Sequence, residues 1–384
     1  MTFKPSLPFG PRSRLASAIM STMAHAGSFT DMLIHEGQPI RLKSAKGNIN
    51  VSDLGLAGGD LIVEASDIKH FFTYYVETTP GAGRPGDYWE SQILPVLAQQ
   101  RAVNRSVSTP GEQYLRFSLI QHQRGKLAMV VRVTTPPPEL DSVGLTPQIV
   151  NRIKTKPRGL LIITGPTASG KTSTALSILN WINHNRPGHL LTVEDPIEFP
   201  LRAKKCVITQ REVGVDVSSF GAGLRDAMRL SPDAILAGEV RDKDTAEAAV
   251  MGGESGALMI VTTHGSSVTG TMRKILTMTG DQSVAMREVM AGCLIGVVRQ
   301  ELVPVADKSG YLMVCDSLHM TAEVRASVEK GDWSTLDKMT NNAAMPSPNF
   351  IPMSTQLRYL AEKRLIEKTI MDDLGVKPIS STDD

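Results

Sequence analysis

Cysteine is scarce, with three in 384 residues. Cys206, Cys293 and Cys315 are widely spaced, form no CxxC pair and have no histidine at metal-ligand spacing, which excludes a disulfide framework or a zinc site built on them. Aromatics make up only 5% of the chain, and neither sign of charge dominates: 41 Lys and Arg face 39 Asp and Glu. No chain-wide field is available to neutralise phosphates, and few rings could stack bases, so direct nucleic-acid binding is not expected. No run approaches the roughly 18 consecutive apolar residues of a membrane helix. The N-terminus, with Pro5, Pro8 and Pro11, lacks the apolar core of a signal peptide. These absences predict a cytoplasmic protein with free thiols that meets a membrane only through a partner.

The hydrophobic fraction of 41% and charged fraction of 21% are those of a globular chain, long enough for two or three domains. Residues 1–133 mix short apolar runs, such as Leu61-Ile62-Val63 and 127–133, with Gly and Asp turns, and predict a small α+β domain. Thr134-Thr135-Pro136-Pro137-Pro138 begins a linker at 134–144, because successive prolines force an extended path. From 145 to 320 the aliphatic runs 160–163, 190–193, 234–237 and 257–261 alternate with helical segments, the pattern of a parallel sheet built from strand–helix–strand units. Past Cys315 the strand signal fades. In the final region, 321–384, Leu357, Leu360, Ala361 and Leu365 keep a helical period that Gly375 could end.

The sharpest motif is Gly165-Pro166-Thr167-Ala168-Ser169-Gly170-Lys171-Thr172, a complete GxxxxGK[ST]. The run 160–163 precedes it, and Ala175, Ile178, Leu179 and Ile182 follow at helical spacing until Arg186-Pro187-Gly188. The loop therefore lies between strand and helix, where backbone N–H groups and the helix N-terminus favour phosphate. Gly165, Thr167, Ser169, Gly170, Lys171, Thr172 and Ser173 are the candidate nucleotide ligands. Lys171 would reach the β and γ oxygens, and the Thr172 hydroxyl would take a place on Mg²⁺.

Hydrolysis also needs a carboxylate to orient or deprotonate water. Two acidic stretches compete, Thr192 to Glu198, which carries Glu194, and Asp233 to Glu239; each follows or contains an aliphatic strand that ends at the carboxyl edge, where open α/β sheets bind ligands. Glu239 is the first choice and Glu194 the second. His264 ends a further strand in Thr262-Thr263-His264-Gly265 and is a candidate for hydrogen-bonding a γ-phosphate.

In this order, the phosphate loop, the box at 192–199, the strand end Leu236 to Asp242 and the His264 box resemble the secretion and type IV pilus motor ATPases. The resemblance is strong over about Ser142 to Val305 and weak in the N-terminal segment. Within that family the chain looks most like the PilT-like branch of type IVB secretion and IncI-type conjugation, the DotB and TraJ ATPases. Thr30-Asp31-Met32 followed by Gly37-Gln38-Pro39, Arg229 to Asp233, and Gln300-Glu301-Leu302-Val303-Pro304 support that placement.

The resemblance implies an α/β fold: a RecA-like P-loop domain with a parallel sheet, preceded by a small PAS-like α+β domain and followed by a helical tail. It implies a homohexamer that hydrolyses ATP with Mg²⁺ between its domains, docked on secretion or conjugation complex proteins at the cytoplasmic face of the inner membrane. Arg116, Arg124 and Arg132 stand where the family's N-terminal domain supplies arginines to the nucleotide, and Arg225 and Arg229 would face a subunit boundary. Movement of the two domains about Pro136 to Pro138 would carry the work.

Three positions depart from the family pattern. Ser231 replaces an acid before the Glu239 strand, which would shift metal binding toward Thr172. Gly265 replaces a Thr beside His264, which would loosen the backbone there. Ser118 stands where many members have Arg. A pilus retraction ATPase, a nucleotide-dependent scaffold with negligible hydrolysis and a nucleic-acid motor remain as rival readings.

Overall fold

The computed structural model describes residues 13–374 apart from 24–28, 30, 45–46, 57–59, 74–88, 101, 109–113, 135, 281–282, 308–309 and 342–345. Of the positions singled out above, Pro5, Pro8, Pro11, Thr30, Thr135 and Gly375 lie outside the described residues. The chain divides into two compact units, Met1–Pro136 with Glu198–Pro200 and Pro137–Ile197 with Leu201–Asp384.

The first unit is built on β1 (Asp31–His35), β2 (Arg41–Ser44), β3 (Gly47–Asn50), β4 (Ala102–Ser108), β5 (Tyr114–His122) and β6 (Lys126–Thr134), with helices α1 (Arg14–Met23), α2 (Ala65–Phe71) and α3 (Leu94–Gln100). The strands form one antiparallel sheet in the order β3-β2-β1-β6-β5-β4. Side chains alternate across a strand, so Met32, Ile34, Leu42, Phe117, Leu119, Met129 and Val131 share one face. They pack there with Leu15 and Ile19 of α1 and Ile68 and Phe71 of α2. The opposite face carries His35, Arg41, Arg116 and Arg132. Leu61-Ile62-Val63, apolar as it is, makes no strand, only a single bridge from Ile62 to Pro39.

In the second unit α4 (Pro147–Thr155) leads to β7 (Gly159–Thr164), α5 (Lys171–Asn185), β8 (Gly188–Glu194), β9 (Cys206–Glu212), α6 (Phe220–Ala227), β10 (Ala234–Ala237), α7 (Lys243–Glu254) and β11 (Leu258–Thr263). Then come α8 (Val268–Met278), α9 (Ser283–Cys293), β12 (Leu294–Pro304), β13 (Tyr311–His319), α10 (Ala322–Lys330), α11 (Trp333–Asn341), β14 (Phe350–Ile351), α12 (Met353–Glu362) and α13 (Thr369–Asp373). The sheet order is β14-β13-β12-β7-β11-β10-β8-β9. From β12 to β9 every neighbouring pair is parallel. β7, β10 and β11 are buried at every position, as expected of strands covered on both faces.

Two expectations change. The sheet is mixed, because β13 and β14 pair antiparallel at its edge. Only residues 305–310 separate β12 from β13, too few for the dozen or more that a parallel crossover requires. The strand signal therefore continues beyond Cys315 to His319, where the consecutive polar residues Asp316 and Ser317 obscured it. In the tail, α12 holds Leu357, Leu360 and Ala361, but Leu365 lies past its end, after Arg364 turns left-handed at φ 57°.

Candidate functional site

The phosphate loop leaves β7 at Thr164. Gly165 has φ 149°, and a Cβ there would overlap the Gln300 carbonyl of β12, so only glycine lets the loop pass this close to the neighbouring strand. Gly170, at φ 81°, is the N-cap of α5. Lys171 is buried in the first turn, and its Nζ donates to the carbonyls of Gly165 at 3.1 Å and Pro166 at 2.6 Å. Ser169 is buried, and its Oγ has no hydrogen-bond partner among the described residues. Thr172 is half-buried, while Thr167 and Ser173 are exposed. A buried cation, an orphaned hydroxyl and the unsatisfied N–H groups of a helix start fit a polyphosphate.

Gln300 is a site residue that the sequence reading did not assign a role. It is fully buried, and its Nε2 donates to the Ser169 carbonyl at 2.6 Å, fastening the middle of the loop to β12. The polar triplet Arg299-Gln300-Glu301 between the apolar runs at 294–298 and 302–303 was the available signal.

Because β11 lies between β7 and β10, the three strand ends place His264 between the loop and Glu239. The His264 Nδ1–H donates to the Gly165 carbonyl at 3.2 Å, and Nε2 lies 3.4 Å from Glu239 Oε1. Lys274 holds the His264 backbone, its Nζ donating to that carbonyl at 2.9 Å. Glu239 Oε2 accepts from Arg241 at 2.5 Å. Burial pushes the Glu239 carboxyl up, but the hydrogen bond and charge of Arg241, with His264 and Lys171 behind it, outweigh burial and hold it below the ordinary glutamate value. Arg241 is thus a second residue the sequence reading passed over, although it stands two positions after Glu239.

Glu194 ends β8 one strand further out and is also buried. Its Oε1 accepts from Thr192 Oγ1 at 2.6 Å and from Gln210 Nε2 of β9 at 3.1 Å. A Cβ on Gly238 would press on the Val193 carbonyl at 3.1 Å and on Glu194 Cα at 3.2 Å, so this glycine keeps the two acid-bearing strand ends close.

Two of the departures take a different meaning. Ser231 and Asp233 precede β10 and so lie at the amino edge of the sheet, with Asp233 Oδ2 accepting from the His189 N–H at 2.8 Å. An acid missing there is four strand residues, about 13 Å, from the phosphate edge and does not bear on metal binding. Gly265 does not loosen the backbone: a Cβ would collide with Thr271 Oγ1 and Thr164 Oγ1, so the position is packed shut.

Within the first unit, Arg116 and Arg132 are cross-strand partners, side by side on one face. Arg132 Nε donates to the buried Asp31 carboxylate at 2.8 Å. Arg124 sits apart in the β5–β6 turn at φ 63°, beyond six strand residues, roughly 20 Å, from Arg116. Ser118 bonds Asn104 across to β4 at 2.7 Å. In the second unit Arg225 pairs with Asp244 at 3.3 Å, tying α6 to α7, and Arg229 lies beyond the end of α6.

A mostly parallel sheet with a glycine-bearing loop and a buried lysine between its first strand and the following helix defines an α/β protein of the P-loop class. Residues 113–342 match the model for the type II/IV secretion system protein family, and the chain belongs to that family. It is 35% identical over 199 residues to the type IV pilus retraction ATPase PilT of Pseudomonas aeruginosa, covering 52% of this chain and 58% of that protein. It is 32% identical over 238 residues to the type IV pilus ATPase PilU of the same organism, covering 62% of each. The chain thus spans about three-fifths of the length of these relatives. Among solved structures, the pilus retraction motor PilT with bound ADP superposes with a TM-score of 0.73 at 26% identity, over 95% of this chain and 96% of that one. The Legionella pneumophila ATPase DotB shares the fold, with a TM-score of 0.72 at 21% identity over 96% and 98%.

Proposed function

We propose that the chain hydrolyses MgATP as one subunit of a homohexameric motor that powers a type IV secretion machine, conjugative or type IVB, at the inner membrane. The observation that carries this reading is the continuous array from Lys171 through the Gly165 carbonyl and His264 to Glu239. Lys171 would exchange its two loop carbonyls for phosphate oxygens, and Ser169 Oγ would donate to the same group. Thr172, half-buried in the first turn of α5, would meet the magnesium that accompanies the nucleotide. Glu239, kept ionised, can accept a proton from water or fix its direction of attack, and His264 would steer the group it faces. Glu194 is the second candidate for that role.

Arg116 and Arg132 would act as a pair on nucleotide in the assembled ring, and Arg124 would need a separate position. An arginine supplied this way is worth about 10³ to 10⁵ in rate, so the isolated subunit should turn over slowly. Replacement of Glu239 by Gln preserves shape and removes the base. The E239Q protein is expected to bind ATP normally while phosphate release falls at least about 100-fold; wild-type turnover would show that Glu239 is the wrong choice.

A second reading, pilus retraction, is favoured by the names of the curated relatives. Deleting the gene separates the two. Loss of transfer or secretion with pilus-driven motility intact supports the first, and the opposite pattern supports the second.

A further inference from the structure

The first unit contains a polar hollow of about 330 Å³ that the nucleotide chemistry does not use. Its polar lining is His35, Gln38, Arg41, Asn48, His122 and Gln123. They converge because of register. Leu33 of β1 pairs with Arg41 of β2, Lys43 of β2 pairs with Asn48 of β3, and His35 pairs with Ala128 of β6. Ala128 in turn pairs with Ile120 of β5, two residues before His122. With a period of two, these side chains occupy the sheet face opposite Met32 and Ile34, so the core does not consume them.

The chemistry of the hollow has one sign. The His35 and His122 rings meet edge to face, with centroids 5.3 Å apart. Nε2 of His122 is buried and has no hydrogen-bond partner among the described residues. None of the lining residues is acidic. Glu36, the residue after His35, turns its Oε2 to the Leu127 N–H at 2.9 Å. Lys126, exposed at the start of β6 and paired with His122, adds positive charge to the same face. Burial first, then His122 and Arg41, push the His35 imidazole below its ordinary value. A pocket that crowds three basic groups and three amides without a counter-charge is poorly satisfied alone and suits a ligand that accepts hydrogen bonds and carries negative charge. Its volume is at the lower end of the roughly 300–1,000 Å³ of small-ligand sites.

We propose that this hollow is a binding site for a small oxyanion, a phosphate or phosphomonoester, held by Arg41 and by the paired imidazoles of His35 and His122 in their protonated form. Protonation follows from linkage: an anion of fixed charge favours the charged imidazole, so its binding takes up protons and tightens as pH falls through the histidine range, whereas a phosphomonoester, with a second pKa of about 6, loses part of that gain by taking up a proton itself.

Isothermal titration of the full chain, with ADP saturating the nucleotide loop, tests this with two probes, inorganic phosphate and glycerol 3-phosphate. Stronger binding of the first identifies a free-phosphate site and of the second an ester site, and either supports the proposal. The expected result is one site per chain; in a sulfate control, whose charge is fixed over this range, binding should be about tenfold tighter at pH 6.0 than at pH 8.0, with proton uptake read from buffers of different ionisation heat. Arg41→Ala should weaken binding about tenfold or more, and His122→Gln should flatten the pH dependence; exposed Arg41 makes the first variant a safe folding control, checked by its melting temperature. No heat from either probe at pH 6.0, or binding unchanged in Arg41→Ala, overturns the proposal.

Discussion

Replacing Gln300 tests whether the phosphate loop is held from the outside. Its side chain is fully buried and makes a 2.6 Å bond to the Ser169 carbonyl, midway round the loop. Truncation to Ala leaves that carbonyl without its partner, a loss of about 1–3 kcal/mol for a buried polar group. It also opens a void beneath Gly170, whose Cβ position lies 3.4 Å from Gln300 Nε2 and 3.6 Å from Leu302. If about 2 kcal/mol of this falls on the loop and must be restored when nucleotide binds, Kd for ADP rises roughly 30-fold, since 1.4 kcal/mol is a factor of ten. Gln300→Glu should be worse than Gln300→Ala, because a carboxylate cannot donate and sets oxygen against oxygen. A fluorescent-ADP titration of each variant, with the melting temperature as control for folding, measures this. Wild-type affinity in a folded Gln300→Glu protein would refute the view that β12 positions the loop.

Arg241→Ala should shift the acid limb of the pH–rate profile upward. Glu239 is depressed because Arg241, with His264 and Lys171, outweighs burial, and without Arg241 burial is opposed only by the charges of His264 and Lys171. The stabilisation from the pair is present above the ordinary glutamate value and disappears as pH falls through the depressed one; an unmoved acid limb would show that Glu239 does not set it. The thiols of Cys293 and Cys315 are pushed up to about 12 by burial, in Cys315 with help from the charge of Asp316. At pH 8 about one such thiol in 10⁴ is a thiolate, so iodoacetamide should label these positions in urea and spare them in the native protein. Native labelling of Cys315 at the denatured rate would contradict its burial.

The parts of the site legible in the sequence were those whose chemistry is contiguous along the chain. The loop from Gly165 to Thr172 sits wholly in one strand–helix turn, and Glu239 and His264 each end an aliphatic run that reads as a buried strand. Contacts made across the sheet were not legible. Gln300 meets the loop only because β12 inserts beside β7, more than a hundred residues away, and no local pattern encodes that neighbour. Ser231 was misjudged for the same reason: motif order puts it near Glu239, but a strand carries the two to opposite edges. Gly265 read as freedom, whereas the facing Thr271 and Thr164 make it a matter of space. The hollow of the first unit required the register of five strands, which alternation alone does not supply.

The ammonium of Lys171 is already shared between two carbonyls of its own loop. An incoming ligand therefore competes with the protein for this cation and gains only the difference between the two sets of oxygens. Chains of two or three phosphates can win that contest, whereas adenosine, with none, leaves the lysine where it is. The loop would thus set an entry threshold that admits polyphosphates and turns away a bare nucleoside.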